Sequence, residues 1–241
     1  LLNGVYGGLR ESAIYNEGLF GFGVTDGATP NAYNWGTAEI INKLGAGRLS
    51  SGDKGIVTFR WTKCYEIISR ANFLLANLDL VNLPEEKKKM YLGETHFLRG
   101  LAYSVLAETY GGVPLILSDI SSEEARLLKR ASLEETWQQA LDDYEIAITS
   151  LGVDAPESGR ATKGAALGMK MRAYLYQGKY KEVLACVEQI DALKKYGLFH
   201  SYEGLFDPAN ENNKEVLFDI QYIEGENSQG SYLSLIHISE P

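Results

Sequence analysis

The sequence predicts a mainly α-helical protein of stacked helical hairpins, with long irregular loops and one short strand near its C-terminal end. Three observations support this prediction. Apolar residues recur every three or four positions through most of residues 61–190, glycine or proline interrupts each run, and residues 1–57 lack such a period. Since each helix has one apolar face, neighbouring hairpins are expected to stack in order to bury those faces.

The N-terminal region, residues 1–57, is rich in Gly, Asn, Ser and Thr. The apolar spacing in Leu2–Arg10 predicts a short helix end. Gly18–Ser51 is predicted to be a long loop, because it contains several turn-forming pairs. Loops of this length in a compact domain are usually functional or disordered, and the presence of Tyr33 and Trp35 favours a functional role.

The first predicted hairpin occupies residues 61–117. Its first helix has an apolar stripe formed by Trp61, Cys64, Tyr65, Ile68, Ala71, Leu75 and Leu78. Pro84 suits the first turn of the second helix, and Gly111–Gly112 is expected to end it. Val113–Leu117 should then leave the hairpin as an extended segment.

The second predicted unit follows a charged, exposed stretch, Ser121–Arg130. Ser132 and Glu135 have the spacing of a capping box, and Thr162 suits the N-cap of the next helix. Gly178 should end that helix. A last helix is predicted from Tyr180 to Gly197, with three residues directed inward: Val183, Val187 and Ile190.

The segment Ala173–Tyr180 has the composition of a tetratricopeptide-repeat (TPR) hairpin turn, with a helix-ending glycine between two tyrosines. Ala102–Tyr103 lies about two 34-residue repeats upstream of Ala173–Tyr174, so the hairpins are interpreted as TPR-like. Glu215–Tyr222 is rich in β-branched and aromatic residues and predicts the strand. Residues 233–241, with the sequence LSLIHISEP, match no preceding pattern and are interpreted as a non-native tail.

Four phrases together resemble the SusD/RagB family of Bacteroidetes nutrient-binding outer-membrane lipoproteins. They are WTKCYEIISRANFLLAN, ETHFLRGLAYSVLAETYGGVPLIL, GRATKGAALGMKMRAYLYQGKY and YEGLFDPANENNKEVLFDIQ. Each alone is a helix or turn signal, whereas their joint order and separation are specific. By this resemblance, residues 1–232 form one SusD-like TPR-containing domain, incomplete at both ends.

The resemblance implies non-catalytic capture of an oligosaccharide or similar nutrient at the bacterial outer-membrane surface. It also implies delivery to a SusC-type TonB-dependent transporter and membrane attachment through a lipid anchor that this chain lacks. The alternative from another class is a TPR-like protein-interaction scaffold. A glycoside-processing enzyme is a more distant third interpretation.

Charge and motif content exclude several other classes. The formal net charge of −9 argues against a nucleic-acid partner. No catalytic or metal-binding motif spacing is present, so no cofactor or metal is expected. The adjacent carboxylates Asp142 and Asp143 are interpreted as solvated charges, His96 as a structural or surface histidine, and Arg99 as an ion-pair partner of Glu94 or Glu108.

Two further sets of residues keep alternative interpretations. Cys64 and Cys186 fit buried small apolar residues, and a disulfide between them stays an open alternative. The candidate ligand-binding residues are Asn31, Tyr33, Asn34 and Trp35. They combine aromatic faces for the apolar side of a sugar ring with amides for its hydroxyls. The alternative is that Trp35 only packs the loop onto the helices.

Overall fold

The structure of the protein is a computed structural model that describes residues 1–10, 29–30, 39–50, 52–53 and 56–221. These ranges contain eight α-helices and four short 3₁₀ turns, and no strand. The helices are α1 Leu2–Gly7, α2 Glu39–Gly45, α3 Ile56–Asn77, α4 Glu85–Tyr110, α5 Ser122–Leu127, α6 Leu133–Ser150, α7 Lys163–Tyr176 and α8 Tyr180–Ala192. The predicted mainly α, TPR-like fold class is thereby confirmed.

The chain divides into two compact units, and α3 runs from one into the other. The larger unit contains residues 1–2 and 68–221, and the smaller contains 3–67 and 222–241. In the smaller unit, Val5, Leu9 and Ile41 are buried. Ile41 belongs to α2, so the loop predicted for Gly18–Ser51 is wrong at residues 39–45. A Cβ on Gly8 would overlap Cγ1 of Ile67, so the glycine allows the turn after α1 to rest directly on α3.

Helix α4 is the central helix of the larger unit and packs along α6. All residues from Gly93 to Ser104 are buried, so this stretch of α4 is covered on every side. A Cβ on Gly93 would meet Leu151 at 2.8 Å, and one on Gly100 would meet the carbonyl oxygen of Ala140 at 3.1 Å. The two glycines therefore let α6 approach α4 closely in an antiparallel orientation.

Helices α7 and α8 extend the stack, since α6 packs on α7 and α7 on α8. The capping box of α6 forms as predicted, with the backbone N–H of Glu135 donating to Oγ of Ser132 at 3.1 Å. Thr162 caps α7 by accepting from the N–H of Ala165. The turn between α7 and α8 uses Gly178 at φ +70°.

The last helix differs from its prediction in length and in orientation. It ends at Ala192 rather than Gly197, because the chain turns away at Lys194, whose φ is +53°. Cys186 and Ile190 are its buried residues, whereas Val187 is exposed. Among the described helices, α7 is the main neighbour of α8. Helix α8 therefore contacts α7 through a narrow face that contains Cys186 and Ile190, four residues apart.

The strand predicted for Glu215–Tyr222 is wrong for its described residues, 215–221, which form neither helix nor strand. Their apolar side chains pack on helices instead. The ring of Phe218 lies edge-on to Phe97 of α4 with centroids 4.9 Å apart, and Leu217 would contact any side chain added to Gly168 of α7. No strand among the described residues is available to pair with this segment.

The tight backbone contact just after α4 predicts that adding one methyl group at Gly112 lowers stability strongly. A Cβ on Gly112 would overlap the carbonyl oxygen of Ala131, which is backbone and cannot rotate away. We expect Gly112→Ala to lower the free energy of unfolding by about 1–3 kcal/mol, measured by urea denaturation. Gly4→Ala is the control, because a Cβ there meets nothing within 4 Å and an alanine favours helix α1. Equal stability of the two variants would contradict the close crossing of residues 112 and 131.

The capping box of α6 predicts a pH effect. The Ser132 backbone N–H donates to the Glu135 carboxylate at 2.7 Å, and this bond lowers the pKa of Glu135 below its ordinary value of 4.5. A lowered folded-state pKa means that the stabilisation is complete above the ordinary value and is lost as the pH falls through the folded-state value. Wild-type protein should therefore lose more stability between pH 6 and pH 3 than Glu135→Gln, whose amide does not titrate. Parallel losses in denaturation at the two pH values would contradict this assignment.

Candidate functional site

The ligand-binding residues predicted from the sequence, Asn31, Tyr33, Asn34 and Trp35, lie outside the described residues. Their assignment therefore stays a prediction. The same holds for the suspected tail, residues 233–241. Two polar arrangements in the larger unit are described, a buried network around Arg99 and a surface groove beside α7.

Arg99 of α4 forms a buried ion pair with Asp143 of α6. Its Nη2 lies 2.7 Å from Oδ1 of Asp143, and its Nε lies 3.0 Å from Oδ2. Nδ1 of His96 lies 2.7 Å from the same Oδ1. Asp143 is 0% exposed, so solvent does not compete for its oxygens. The carboxylate thus joins two side chains of α4 to α6.

The network continues into the extended segment 113–118 through Asn72 of α3. Nη1 of Arg99 donates to Oδ1 of Asn72 at 2.7 Å, and Nδ2 of Asn72 donates to the carbonyl oxygens of Ile116 and Ser118. The Tyr103 hydroxyl donates to the Ile116 carbonyl and accepts from its N–H. Burial raises the pKa of that hydroxyl, which stays protonated and able to donate.

These contacts correct two predictions. Arg99 does not pair with Glu94 or Glu108 as expected. Glu94 meets Arg160 at 3.4 Å, and Glu108 meets Arg172 of α7 at 3.9 Å.

Asp143 is also not the solvated charge that was predicted, whereas its neighbour Asp142 is exposed. Its position three residues after Ala140 and four before Ala147 places it on the buried stripe of α6, and this spacing is the signal that would have identified it. His96 has the structural role that was predicted.

The two cysteines are buried free thiols in different units. Cys64 is 0% exposed, and burial raises its pKa to about 12. Of the two interpretations, buried apolar residues and a disulfide, the structure supports the first.

A groove of about 270 Å³, with polar and apolar lining, lies in the larger unit beside the start of α7. It is lined by three segments: the turn 154–162, residues 195–196 and the loop 212–219. The Tyr196 hydroxyl lies 3.0 Å from Oγ1 of Thr162, and Nζ of Lys195 donates to the carbonyl oxygen of Val153 at 2.8 Å. The backbone N–H of Gly197 donates to the carbonyl of Lys214. The walls are therefore fastened to one another.

Two segments whose sequences resemble ligand-binding motifs have structural roles. Gly159–Gly164 lacks the Gly-Lys-Ser/Thr order of a phosphate loop, and its Thr162 caps α7. In the oxygen-rich segment 207–213, Asp207 caps the next turn by accepting from the N–H of Ala209 at 2.9 Å. Among the described residues, no group of three His, Cys, Asp or Glu side chains is placed to hold a metal ion. None of the described helices is both long and apolar enough to cross a membrane.

Comparison with protein families identifies the chain. Residues 12–175, more than half of the sequence, match the model of a SusD-like family described as starch-binding and associating with the outer membrane. The chain belongs to this SusD-like family. The resemblance drawn from the four sequence phrases is thereby confirmed.

Relatives and solved structures agree with this membership. SusD-like protein P25 of Formosa agariphila is 26% identical over 95% of this chain and 45% of its own length. A SusD-like carbohydrate-binding protein of Bacteroides fragilis superposes with a TM-score of 0.73 at 29% identity, covering 82% of this chain and 39% of that one. Surface glycan-binding protein A of Bacteroides fluxus shares the fold, with a TM-score of 0.78 at 22% identity over 93% of this chain and 50% of that one. The chain spans about half the length of these proteins.

The buried network predicts that two adjacent aspartates differ sharply in importance. Asp143→Asn leaves the Arg99 guanidinium buried without a countercharge, and we expect a loss of about 3–5 kcal/mol in unfolding free energy. Asp142→Asn is the matched control, since Asp142 is exposed and its carboxylate accepts from Gln138 on the same helix. It should change stability by less than about 0.5 kcal/mol. Comparable losses in chemical denaturation would contradict the assigned roles.

Proposed function

We propose that this SusD-like protein captures an oligosaccharide without catalysis at the bacterial outer-membrane surface and passes it to a SusC-type TonB-dependent transporter. The observation that supports this most strongly is the family match over residues 12–175, whose description names starch and the outer membrane. The names of the B. fragilis and B. fluxus proteins, which refer to carbohydrate or glycan binding, agree with it.

The two buried carboxylates of α4 and α6 are not available for glycoside hydrolysis. Glycoside hydrolases use two carboxyl groups on either side of the scissile bond, both in contact with the sugar. The two buried carboxylates of α4 and α6, Glu94 and Asp143, interact with Arg160 and Arg99 instead, and both are 0% exposed. Neither carboxylate is accessible to a sugar.

The proposed ligand residues are Asn31, Tyr33, Asn34 and Trp35. The proposal rests on side-chain chemistry: an aromatic face matches the C–H face of a sugar ring, and amides match its hydroxyls. The family-typical residues of α4 are used in the helical scaffold. That division leaves the N-terminal loop as the candidate glycan surface and the helical hairpins as the candidate surface for the transporter.

The experiment that tests this function is calorimetric titration of the protein with a panel of neutral and acidic oligosaccharides. We expect Trp35→Ala to weaken binding of the best ligand by about 1 kcal/mol, roughly fivefold, because the stacking face is lost. Tyr180→Ala is the control, since Tyr180 is an exposed aromatic residue on α8, away from the N-terminal loop in sequence. Sugar release during the titration would contradict a non-catalytic role. Unchanged affinity of a folded Trp35→Ala protein would exclude the proposed loop site.

A further inference from the structure

The groove beside α7 is lined by both hydrogen-bonding and apolar side chains. We propose that it binds one or two uncharged sugar residues of the glycan that the protein captures, separately from the loop containing Trp35. This inference rests on the proposed function, because it concerns the same class of ligand. Four features of the groove support it: its preformed walls, its free donors, its charge balance and its size.

Asn212 is the residue that joins the walls of the groove. Its Oδ1 accepts from Oγ of Ser158 at 2.9 Å and from Nε2 of Gln221 at 3.1 Å. Its backbone has φ +56°, in the left-handed region that asparagine enters more readily than most residues other than glycine. Both bonds are accepted by the amide oxygen. The two N–H donors of Nδ2 form no hydrogen bond with any described residue, so they are available to a ligand.

Lys214 supplies a second donor to the groove. Its side chain is exposed and forms neither a hydrogen bond nor an ion pair with any of the described residues. Together with Asn212, it provides donors for sugar hydroxyls. The carboxylates of Asp154, Glu157 and Asp219 in the same lining provide acceptors. Sugar hydroxyls both donate and accept, so they suit this mixture.

The charge balance of the lining favours an uncharged ligand. Lys195 pairs with Asp154 at 2.9 Å, and Arg160 lies 3.2 Å from Glu157 as well as 3.4 Å from the buried Glu94. The remaining cation, Lys214, is offset by Asp219 in the same lining. The lining itself contains three cations and three carboxylates, so neither sign is in excess there, and a polyhydroxylated ligand can bond to both kinds of group.

The size and apolar content of the groove set the number of sugar residues. Its volume of about 270 Å³ is just below the ~300–1,000 Å³ of drug-sized ligand sites, so it would hold one or two sugar rings while the rest of a longer chain stays outside. Tyr196, Val216 and Leu217 contribute apolar surface to the lining. Because the walls are bonded to one another before any ligand arrives, binding orders few groups and loses little conformational freedom.

The test locates binding by ¹H–¹⁵N chemical shifts of the amides at residues 195–197 and 212–214, using the tightest oligosaccharide of the calorimetric panel. In wild-type protein these amides should shift and saturate. Lys214→Met removes the ammonium group and keeps an apolar side chain of similar length. It should raise the dissociation constant measured from the groove amides by about tenfold, as expected when a hydrogen bond to a charged donor is lost. Lys181→Met, an exposed lysine of α8 outside the groove, should leave that constant unchanged.

A second variant tests the groove by blocking it rather than by removing a polar group. Ala155→Phe fills part of the groove and should abolish the shifts at residues 212–214, while Trp35→Ala should leave them in place. If an oligosaccharide binds but these amides do not shift, or if both groove variants retain wild-type constants, the second site is excluded and the proposed function stands. If no oligosaccharide of the panel binds, the proposed function and the second site both fail.

Discussion

The larger unit is organised around the buried ion pair between Arg99 and Asp143. Removing two charges from water is costly, and the cost is recovered only when the geometry is good and the remaining polar atoms are bonded. Both conditions hold here: the guanidinium meets both carboxylate oxygens, and its remaining nitrogen meets Asn72. Such a pair specifies an arrangement more than it adds stability. It fixes one register of α4 against α6, because a shift of either helix would leave both charges buried and unpaired.

The same register is the one that the glycines of α4 allow. Gly100 lies one residue from Arg99, and a Cβ there would meet Cβ of Asp143 at 3.0 Å. The close helix approach and the ion pair therefore depend on each other, since a wider spacing would pull the carboxylate away from the guanidinium. Through Asn72 and Tyr103 the network also satisfies backbone groups of Ile116, which no strand partner supplies among the described residues. Side chains thus supply the hydrogen bonds that the backbone N–H and carbonyl groups of this extended segment need where it lies against helices.

The positions of the helices could be predicted from the sequence more accurately than the contacts between them. Periodicity, Pro84, Gly111 and the capping residues Ser132 and Thr162 are local signals, and the helices they predict are present. Asp143 was misassigned because a charge next to another charge resembles a solvent-facing pair, and its partners are 44 and 47 residues away. The strand at 215–222 was predicted from composition, but β-branched and aromatic residues suit any half-buried surface, including a helical one. The groove had no local signal at all, since its three segments are distant in sequence.

The division between scaffold and surface also explains why the strongest sequence resemblance does not identify the ligand. Phrases such as ETHFLRGLAYS consist of residues that α4 buries, some of them in the network, so their chemistry is directed at the protein interior. Sugar recognition needs side chains that reach solvent, and these lie in turns and loops, where the constraint of helix packing is absent. The groove illustrates this: Thr162, Tyr196 and Asn212 hold its walls, whereas Lys214 is exposed and can change without disturbing α7. Relatives with the same buried network can therefore differ in the glycans that they bind.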